Sequence, residues 1–247
     1  MEQNRARLPE KDVFIMILLI DKSKKDAMTY SEIFHYMGVL SYAVPIKAGE
    51  KIPNDAKGKY RAAVVIGPEG FDDPDTLPER IRRNTTDIPV FALSDEPANA
   101  RANQSFDGVM PKNVFSSRLL EGLQDFARAH GMTPPGVYKL AGIDASCDTT
   151  PLYFGDPIGL TKTEAMILRV LILYYPLSVP PKQIMKYAYR PSRMPELSNI
   201  RTHVSAINRK FRALAGRNLI MPATEQGYTV LTPERMEEEK KPALVGE

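Results

Sequence analysis

The segment KYRAAVVIGPEGFDD, residues 59–73, indicates the fold class of the first half of the chain. Its apolar run AAVVI, residues 62–66, leads directly into the turn sequence GPEG, residues 67–70. A short unbroken apolar run is typical of a strand that is covered on both faces of a parallel sheet. Open α/β sheets usually hold their chemistry at the carboxyl ends of the strands. This strand, however, ends without an acid, a His, a Ser or a Cys.

Strand and helix signals alternate on both sides of this segment. Five strands and their helices within about 130 residues predict a doubly wound, five-stranded parallel, flavodoxin-like α/β domain. The predicted strands span residues 13–20, 41–45, 61–66, 88–94 and 108–111, and the predicted helices span 27–37, 77–83 and 115–129.

The second half of the chain has a different pattern. Short alternating strands come first, and a helix with a capping box from Thr161 to Glu164 follows. A proline-led second helix, a third helix within residues 196–216 and a terminal hairpin with Gly227 near its tip complete the unit. This order predicts an α+β winged helix-turn-helix domain.

The sequence HGMTPPG, residues 130–136, ends a helical pattern and forms the best domain boundary. We therefore predict an α/β domain at residues 1–130, a linker at 131–136, the winged helix-turn-helix domain at 137–233 and a charged, disordered tail at 234–247.

The composition limits the function classes. A hydrophobic fraction of 43% and a charged fraction of 26% fit a soluble protein, and no apolar run is long enough to span a bilayer. The single cysteine, Cys147, indicates a reducing, cytoplasmic compartment. With three His and one Cys, and no converging catalytic groups, we expect neither a metal site nor a cofactor nor an enzyme. Residues 137–233 hold 12 Lys/Arg against 6 Asp/Glu, so an acidic partner such as nucleic acid would meet this half.

The third helix has two contrasting faces. Helical spacing puts a core stripe on one face, whereas the outer face combines cations with short hydroxyl groups. No carboxylate occurs from Asn199 to Asn218, although an ordinary solvated face usually carries both charge signs. Such a face is suited to base edges and phosphates. The predicted core positions are Ile200, Val204, Ile207, Phe211 and Leu214; the outer positions are Ser198, Arg201, Thr202, Ser205, Arg209 and Arg212, with His203 and Lys210 on the flank.

Three motifs in this order, GLTKTEAMILRVL, NIRTHVSAINRKFR and IMPATEQGYTVLT, resemble the DNA-binding domain of OmpR/PhoB-type response regulators. The resemblance covers about residues 137–233. It implies that the third helix enters the major groove, that the wing reaches the minor groove and that a dimer binds promoter DNA. The implied DNA-binding residues are Asn199, Arg201, Thr202, His203, Ser205, Arg209, Lys210, Arg212 and Thr224.

Several positions depart from the family pattern. Ser198, Ala206 and Thr224 replace basic residues that are usual there, and Arg201 stands where an acid is common, so the preferred DNA site should differ. His203 contacts a phosphate in many family members, and a buried packing role is an equal alternative. For Gly227 and Tyr228 we favour a structural role in fixing the wing.

The loop before the third helix contains two arginines, Arg190 and Arg193. In the family this loop can contact RNA polymerase. The two arginines could equally hold DNA phosphates, or the loop could simply be solvated.

By the same resemblance, the first domain should be a receiver. A receiver presents acids after its first strand, a phosphorylatable Asp after the third, a Ser or Thr after the fourth and a Lys after the fifth. Asp21, Ser94 and Lys112 occupy three of these positions, but Lys22 replaces the second acid. The acceptor position aligns with Ile66 or Gly67, and an aromatic position on the fifth strand aligns with Gly108. We therefore predict a degenerate receiver that neither accepts phosphate nor binds Mg²⁺ well.

The leading hypothesis is a bacterial transcription regulator that is controlled without aspartyl phosphorylation and dimerises through its receiver-like domain. We expect the dimer contact on the face formed by the fourth and fifth helices, with Arg118, Leu119 and Asp125. One alternative is a conventional phosphorelay protein that uses a displaced acid such as Asp72 or Asp73. Another is a protein-interaction module that does not bind DNA.

Overall fold

The computed structural model describes residues 16–22, 25–45, 60–85, 88–98, 105–147, 149–190, 195–223 and 227–232. Its first domain is built on one five-stranded sheet of β1 (Met16–Asp21), β2 (Ser41–Pro45), β3 (Tyr60–Ile66), β4 (Val90–Ser94) and β5 (Gly108–Pro111). Every strand is parallel to its neighbours, in the order β2-β1-β3-β4-β5. This confirms the doubly wound class predicted for the first half.

Helices cover both faces of the sheet, which explains why its central strands are apolar throughout. Successive side chains of a strand point to opposite faces. In β1, Ile17 and Leu19 belong to a core with Phe34 and Leu119, whereas Leu18 and Ile20 belong to a second core. Among the described residues of this domain, the α-helices with assigned bounds are α1 (Lys25–Tyr36), α2 (Leu77–Thr85) and α3 (Ser116–Ala129).

The observed bounds lie close to the predicted ones. β1 continues one residue beyond the predicted end, to Asp21, and α2 continues to Thr85. The predicted strand start at residues 13–15 and the predicted tail at 234–247 lie outside the described residues.

The second domain has the predicted elements of a winged helix-turn-helix. Four short antiparallel strands precede three helices, and an antiparallel hairpin follows them. These elements are β6 (Lys139–Leu140), β7 (Ile143–Asp144), β8 (Leu152–Tyr153), β9 (Asp156–Pro157), α4 (Lys162–Tyr174), α5 (Pro181–Ala188), α6 (Ser198–Ala215), β10 (Ile220–Ala223) and β11 (Gly227–Val230).

Helix α4 is the centre of this domain, and its predicted capping box is confirmed. The Thr161 hydroxyl accepts a hydrogen bond from the Glu164 amide at 3.4 Å, and the Thr161 amide donates to Glu164 Oε2 at 2.7 Å. Nearly every residue of α4 is buried, as expected for a helix that is apolar on all sides.

The two domains are in contact. The Leu40 amide, just before β2, donates to the buried Tyr138 hydroxyl at 2.8 Å. The predicted linker is tied to α3, because the Gln124 side-chain amide donates to the Pro135 carbonyl at 3.0 Å. None of the helices that the structure describes is long and apolar enough to cross a membrane.

Candidate nucleic-acid interface

Helix α6 presents the predicted outer face to solvent. Six residues of this face are exposed, and the Asn199 side chain is exposed on the first turn. The Arg212 guanidinium donates to Asn218 Oδ1 at 2.6 Å, so it is held near the end of the helix. The exposed face therefore carries three guanidinium groups together with hydroxyl groups. It consists of Ser198, Arg201, Thr202, Ser205, Arg209 and Arg212.

The opposite face of α6 anchors the helix in the core. Ile200, Val204, Ile207 and Phe211 are buried, as predicted. The prediction that Leu214 joins them is wrong, because its side chain is 38% exposed. Leu214 lies on the last turn before Gly216, which ends the helix with a left-handed backbone at φ 70°.

Asn208 joins α6 to the wing, which is the hairpin of β10 and β11. The sequence did not predict this role. Its Oδ1 accepts hydrogen bonds from the Leu219 amide at 3.0 Å and the Ile220 amide at 2.8 Å. Its side-chain amide donates to the Ile220 carbonyl at 2.7 Å. The oxygen and the nitrogen of this side chain both form hydrogen bonds, so β10 is fixed to α6.

Two predicted DNA-binding residues on the flank of α6 have partners within the protein. Lys210 Nζ lies 2.6 Å from Glu164 Oε2, in an ion pair that joins α6 to the start of α4. Burial alone would raise the pKa of Glu164, but the hydrogen bonds from Lys210 and Thr161 outweigh it and lower the pKa below its ordinary value. His203 is half-buried, with its ring 6.2 Å from that of Tyr189.

The base of the wing is fixed by close packing. Val179 and Tyr228 exchange backbone hydrogen bonds of 2.8 and 3.0 Å. A Cβ atom on Gly227 would lie 3.0 Å from the backbone carbonyl of Val179. Glycine is therefore needed here for close approach of two backbones, in line with the structural role that we favoured. Thr224, predicted for the wing tip, lies outside the described residues.

Arg190, which precedes α6 in the sequence, contacts the first domain. Its guanidinium lies 4.3 Å from the centre of the Tyr36 ring and donates to the Tyr36 hydroxyl. The Arg190 side chain therefore links the loop after α5 to the end of α1. Arg193 lies outside the described residues.

The carboxyl edge of the parallel sheet brings together the residues of the degenerate receiver site. Asp21 is buried at the end of β1, and its Oδ2 accepts a hydrogen bond from the Asp26 amide at 3.0 Å. Ile66 is buried at the end of β3, and Gly67 follows with a left-handed backbone at φ 63°. Neither offers a side-chain oxygen atom for phosphoryl transfer. Among the described residues, no group of three or more His, Cys, Asp or Glu side chains could hold a metal ion.

Internal ion pairs use the charged groups around this edge. Lys112 Nζ lies 2.8 Å from Asp26 Oδ2, and this hydrogen bond raises the pKa of Lys112 above its ordinary value. Lys22 Nζ donates to the Gly70 carbonyl at 2.6 Å and lies 3.8 Å from Asp72 Oδ1. Asp73, the second candidate for a displaced acceptor, lies 3.4 Å from Arg80.

Glu69 is a further member of this site that sequence reasoning did not assign. Ser94 Oγ donates to Glu69 Oε2 and the Asp95 amide donates to Glu69 Oε1, both at 3.2 Å. The Glu69 carboxylate thus joins the turn after β3 to the loop after β4. The only sequence signal was an acid within the GPEG turn.

The predicted dimer face is corrected at one position. The sequence placed Leu119 on it, but its side chain is completely buried in the core beneath α3. Arg118 is exposed, and Asp125 is exposed and pairs with Arg128 at 2.7 Å. Arg118 and Asp125 remain accessible to a partner.

No family model and no curated protein matches this chain. Three similar solved structures each cover 88% of this chain and 99% of their own. They are a streptococcal redox sensor described as evolved from two-component response regulators (13% identity, TM-score 0.36), the Thermotoga maritima OmpR/PhoB homologue DrrB (16%, 0.35) and a mutant of RitR (15%, 0.35).

The similar structures include the class that the sequence motifs resemble, namely response regulators of the OmpR/PhoB type. The strand order and the winged-helix elements of the chain itself define its fold.

Proposed function

We propose that this protein is a sequence-specific bacterial transcription regulator that binds promoter DNA through α6 and the wing. One observation carries the proposal: the exposed face of α6 holds guanidinium and hydroxyl groups without a carboxylate, while its other face is fixed in the core. Arginines on such a face can read guanine edges in the major groove and bind phosphates.

Within this proposal the described residues have different roles. Arg201, Thr202, Ser205 and Arg209 contact DNA directly, because they are exposed on the outer face. Lys210 acts through Glu164 and holds α6 in position.

We further propose that the receiver-like domain works without aspartyl phosphorylation. Two observations support this: the strand end that should carry the acceptor holds Ile66 and Gly67, and Lys112 is paired with Asp26. The domain then serves as a dimerisation module of a cytoplasmic regulator, and the dimer engages RNA polymerase at the promoter.

Incubation of the protein with acetyl phosphate and Mg²⁺ should leave its intact mass unchanged. The appearance of an aspartyl phosphate would identify a conventional phosphorelay protein instead.

DNA binding is tested by selecting sites from a random duplex library with the full chain and then titrating the selected site. Arg209→Ala should weaken binding by roughly tenfold or more, since a contact to a base or phosphate contributes about 1–3 kcal/mol. Arg217→Ala is the matched control, because Arg217 lies beyond the helix and binds Tyr153. The affinity for DNA should also fall steeply as the salt concentration rises, because contacts to phosphates release counterions. If the selection enriches no DNA site, the result would favour a protein-interaction module that does not bind DNA.

A further inference from the structure

A cavity of about 510 Å³ lies where the two domains meet. The end of α1 forms one wall with His35 and Tyr36. The winged-helix domain forms the other wall with Lys162, Arg190 and Asn199. This volume is within the range of small-molecule sites, which are often found at domain interfaces.

The lining of this cavity is cationic. Lys162 and Arg190 contribute two positive charges, and no carboxylate is among the lining residues that the structure describes. Tyr36, Thr163 and Asn199 contribute hydroxyl and amide groups. Cations surrounded by neutral hydrogen-bonding groups form a suitable environment for a negatively charged group, because charge-assisted hydrogen bonds are stronger than neutral ones.

The pKa of His35 is lowered mainly by burial, and the cationic lining adds to this effect. Burial and, to a smaller extent, the nearby cations Arg190 and Arg169 lower the pKa of His35 to about 4, against a smaller opposite effect of Glu32. His35 lines this cavity and two adjacent ones. The imidazole is therefore neutral at pH 7 and offers an N–H group without adding charge.

We propose that this cavity binds a small organic anion of the phosphate-ester or carboxylate class, which bridges the two domains. Lys162 and Arg190 neutralise the anion, and Tyr36 and His35 donate to it from the first domain. Its effect on DNA binding rests on the proposed function, whereas anion binding does not.

The cavity reaches the element that contacts DNA. Asn199 lies on the first turn of α6, and Arg190 follows α5 on the segment that leads towards it. An anion bound by Lys162 and His35 as well would strengthen the link that Arg190 already makes to Tyr36, and would thereby fix the orientation of α6 relative to the receiver-like domain. A small anion would then provide the input that phosphorylation provides in a conventional receiver.

Calorimetric titration of the full chain with 3-phosphoglycerate tests the proposal, with glycerol as the uncharged control. We expect saturable 1:1 binding of 3-phosphoglycerate and none of glycerol. Lys162→Gln should weaken binding by about tenfold, because it removes one charged hydrogen bond. The control Lys182→Gln, which changes an exposed lysine that does not line the cavity, should leave binding unchanged. Absence of saturable binding, or equal effects of the two variants, would overturn the proposal.

Titration of the histidine ring signals by NMR locates the ligand. A bound anion should raise the pKa of His35 from its low value, whereas the ring signals of His130, at the end of α3, should not move when the ligand is added. An unchanged His35 pKa in the presence of bound 3-phosphoglycerate would overturn the proposed location.

DNA is a second source of phosphate groups, so DNA affinity is measured in parallel. If 3-phosphoglycerate does not bind but Lys162→Gln weakens DNA binding, Lys162 belongs to the DNA interface and the cavity proposal fails. If 3-phosphoglycerate binds as expected but no DNA site is selected, the cavity proposal holds and the proposed function fails.

Discussion

The ion pair between Lys210 and Glu164 offers a sharp test of the assignment of the α6 faces. We consider Lys210→Met, which keeps the aliphatic stem and removes the charge. Glu164 has a side chain only 6% exposed and would lose a 2.6 Å bond to a partner that is itself 27% exposed. A hydrogen bond to a charged group contributes about 1.5–3 kcal/mol, so we expect the free energy of unfolding to fall by about 2 kcal/mol at pH 7.

The matched control is Arg209→Met, at the exposed neighbour of Lys210. An exposed substitution away from packed features should change the free energy of unfolding by less than about 0.5 kcal/mol. DNA binding should respond in the opposite order, because Arg209→Met removes a direct contact. Urea denaturation and DNA titration of both variants measure the two effects. Equal stability of the two variants would refute the assignment.

The pH dependence of this pair has a defined sign. The folded protein lowers the pKa of Glu164 below its ordinary value of 4.5, so the pair stabilises the protein above that pH. As the pH falls through the lowered pKa, Glu164 is protonated and the contribution is lost. The stability difference between wild type and Lys210→Met should therefore be full at pH 7 and should shrink below about pH 4.5.

Other substitutions test separate parts of the structure. Glu69→Ala should speed hydrogen exchange of the Asp95 amide several-fold, since it removes the acceptor of that amide; unchanged exchange would contradict the observed bridge. Gly108→Ala should destabilise the protein by about 1–3 kcal/mol in urea denaturation, because its Cβ atom would lie 2.4 Å from the Phe91 ring, whereas Gly70→Ala, with open space around it, should be close to neutral. His35→Asn should flatten the fall in stability between pH 6.5 and about 4, because only the unfolded state binds a proton at His35 in that range; an equal slope in both proteins would argue against a buried neutral His35.

The elements that sequence reasoning predicted are those specified by neighbouring residues. The capping box at Thr161 and Glu164 uses residues three positions apart, and the buried strand ending at Ile66 is a continuous apolar run. The core positions Ile200 and Ile207 follow from helical periodicity. Such patterns need no knowledge of which distant segments meet.

The side-chain partners could not be predicted in this way, because they join distant segments. Lys210 and Glu164 are separated by 46 positions, and Arg190 and Tyr36 by 154. The packing at Gly108 could not be predicted from the receiver pattern either. Gly108 stands where receivers have an aromatic residue, and the Phe91 ring packs against it. Leu119 was predicted on the dimer face, but its side chain is buried in the core.

The central claim is that α6 binds DNA without phosphorylation of the receiver-like domain. It is tested most directly by the affinity of the full chain for a selected DNA site, measured before and after treatment with acetyl phosphate and Mg²⁺. We expect the untreated protein to bind tightly, with a steep dependence on salt, and the treatment to leave the affinity unchanged. Binding that appears only after treatment, or no binding in either state, would contradict the claim.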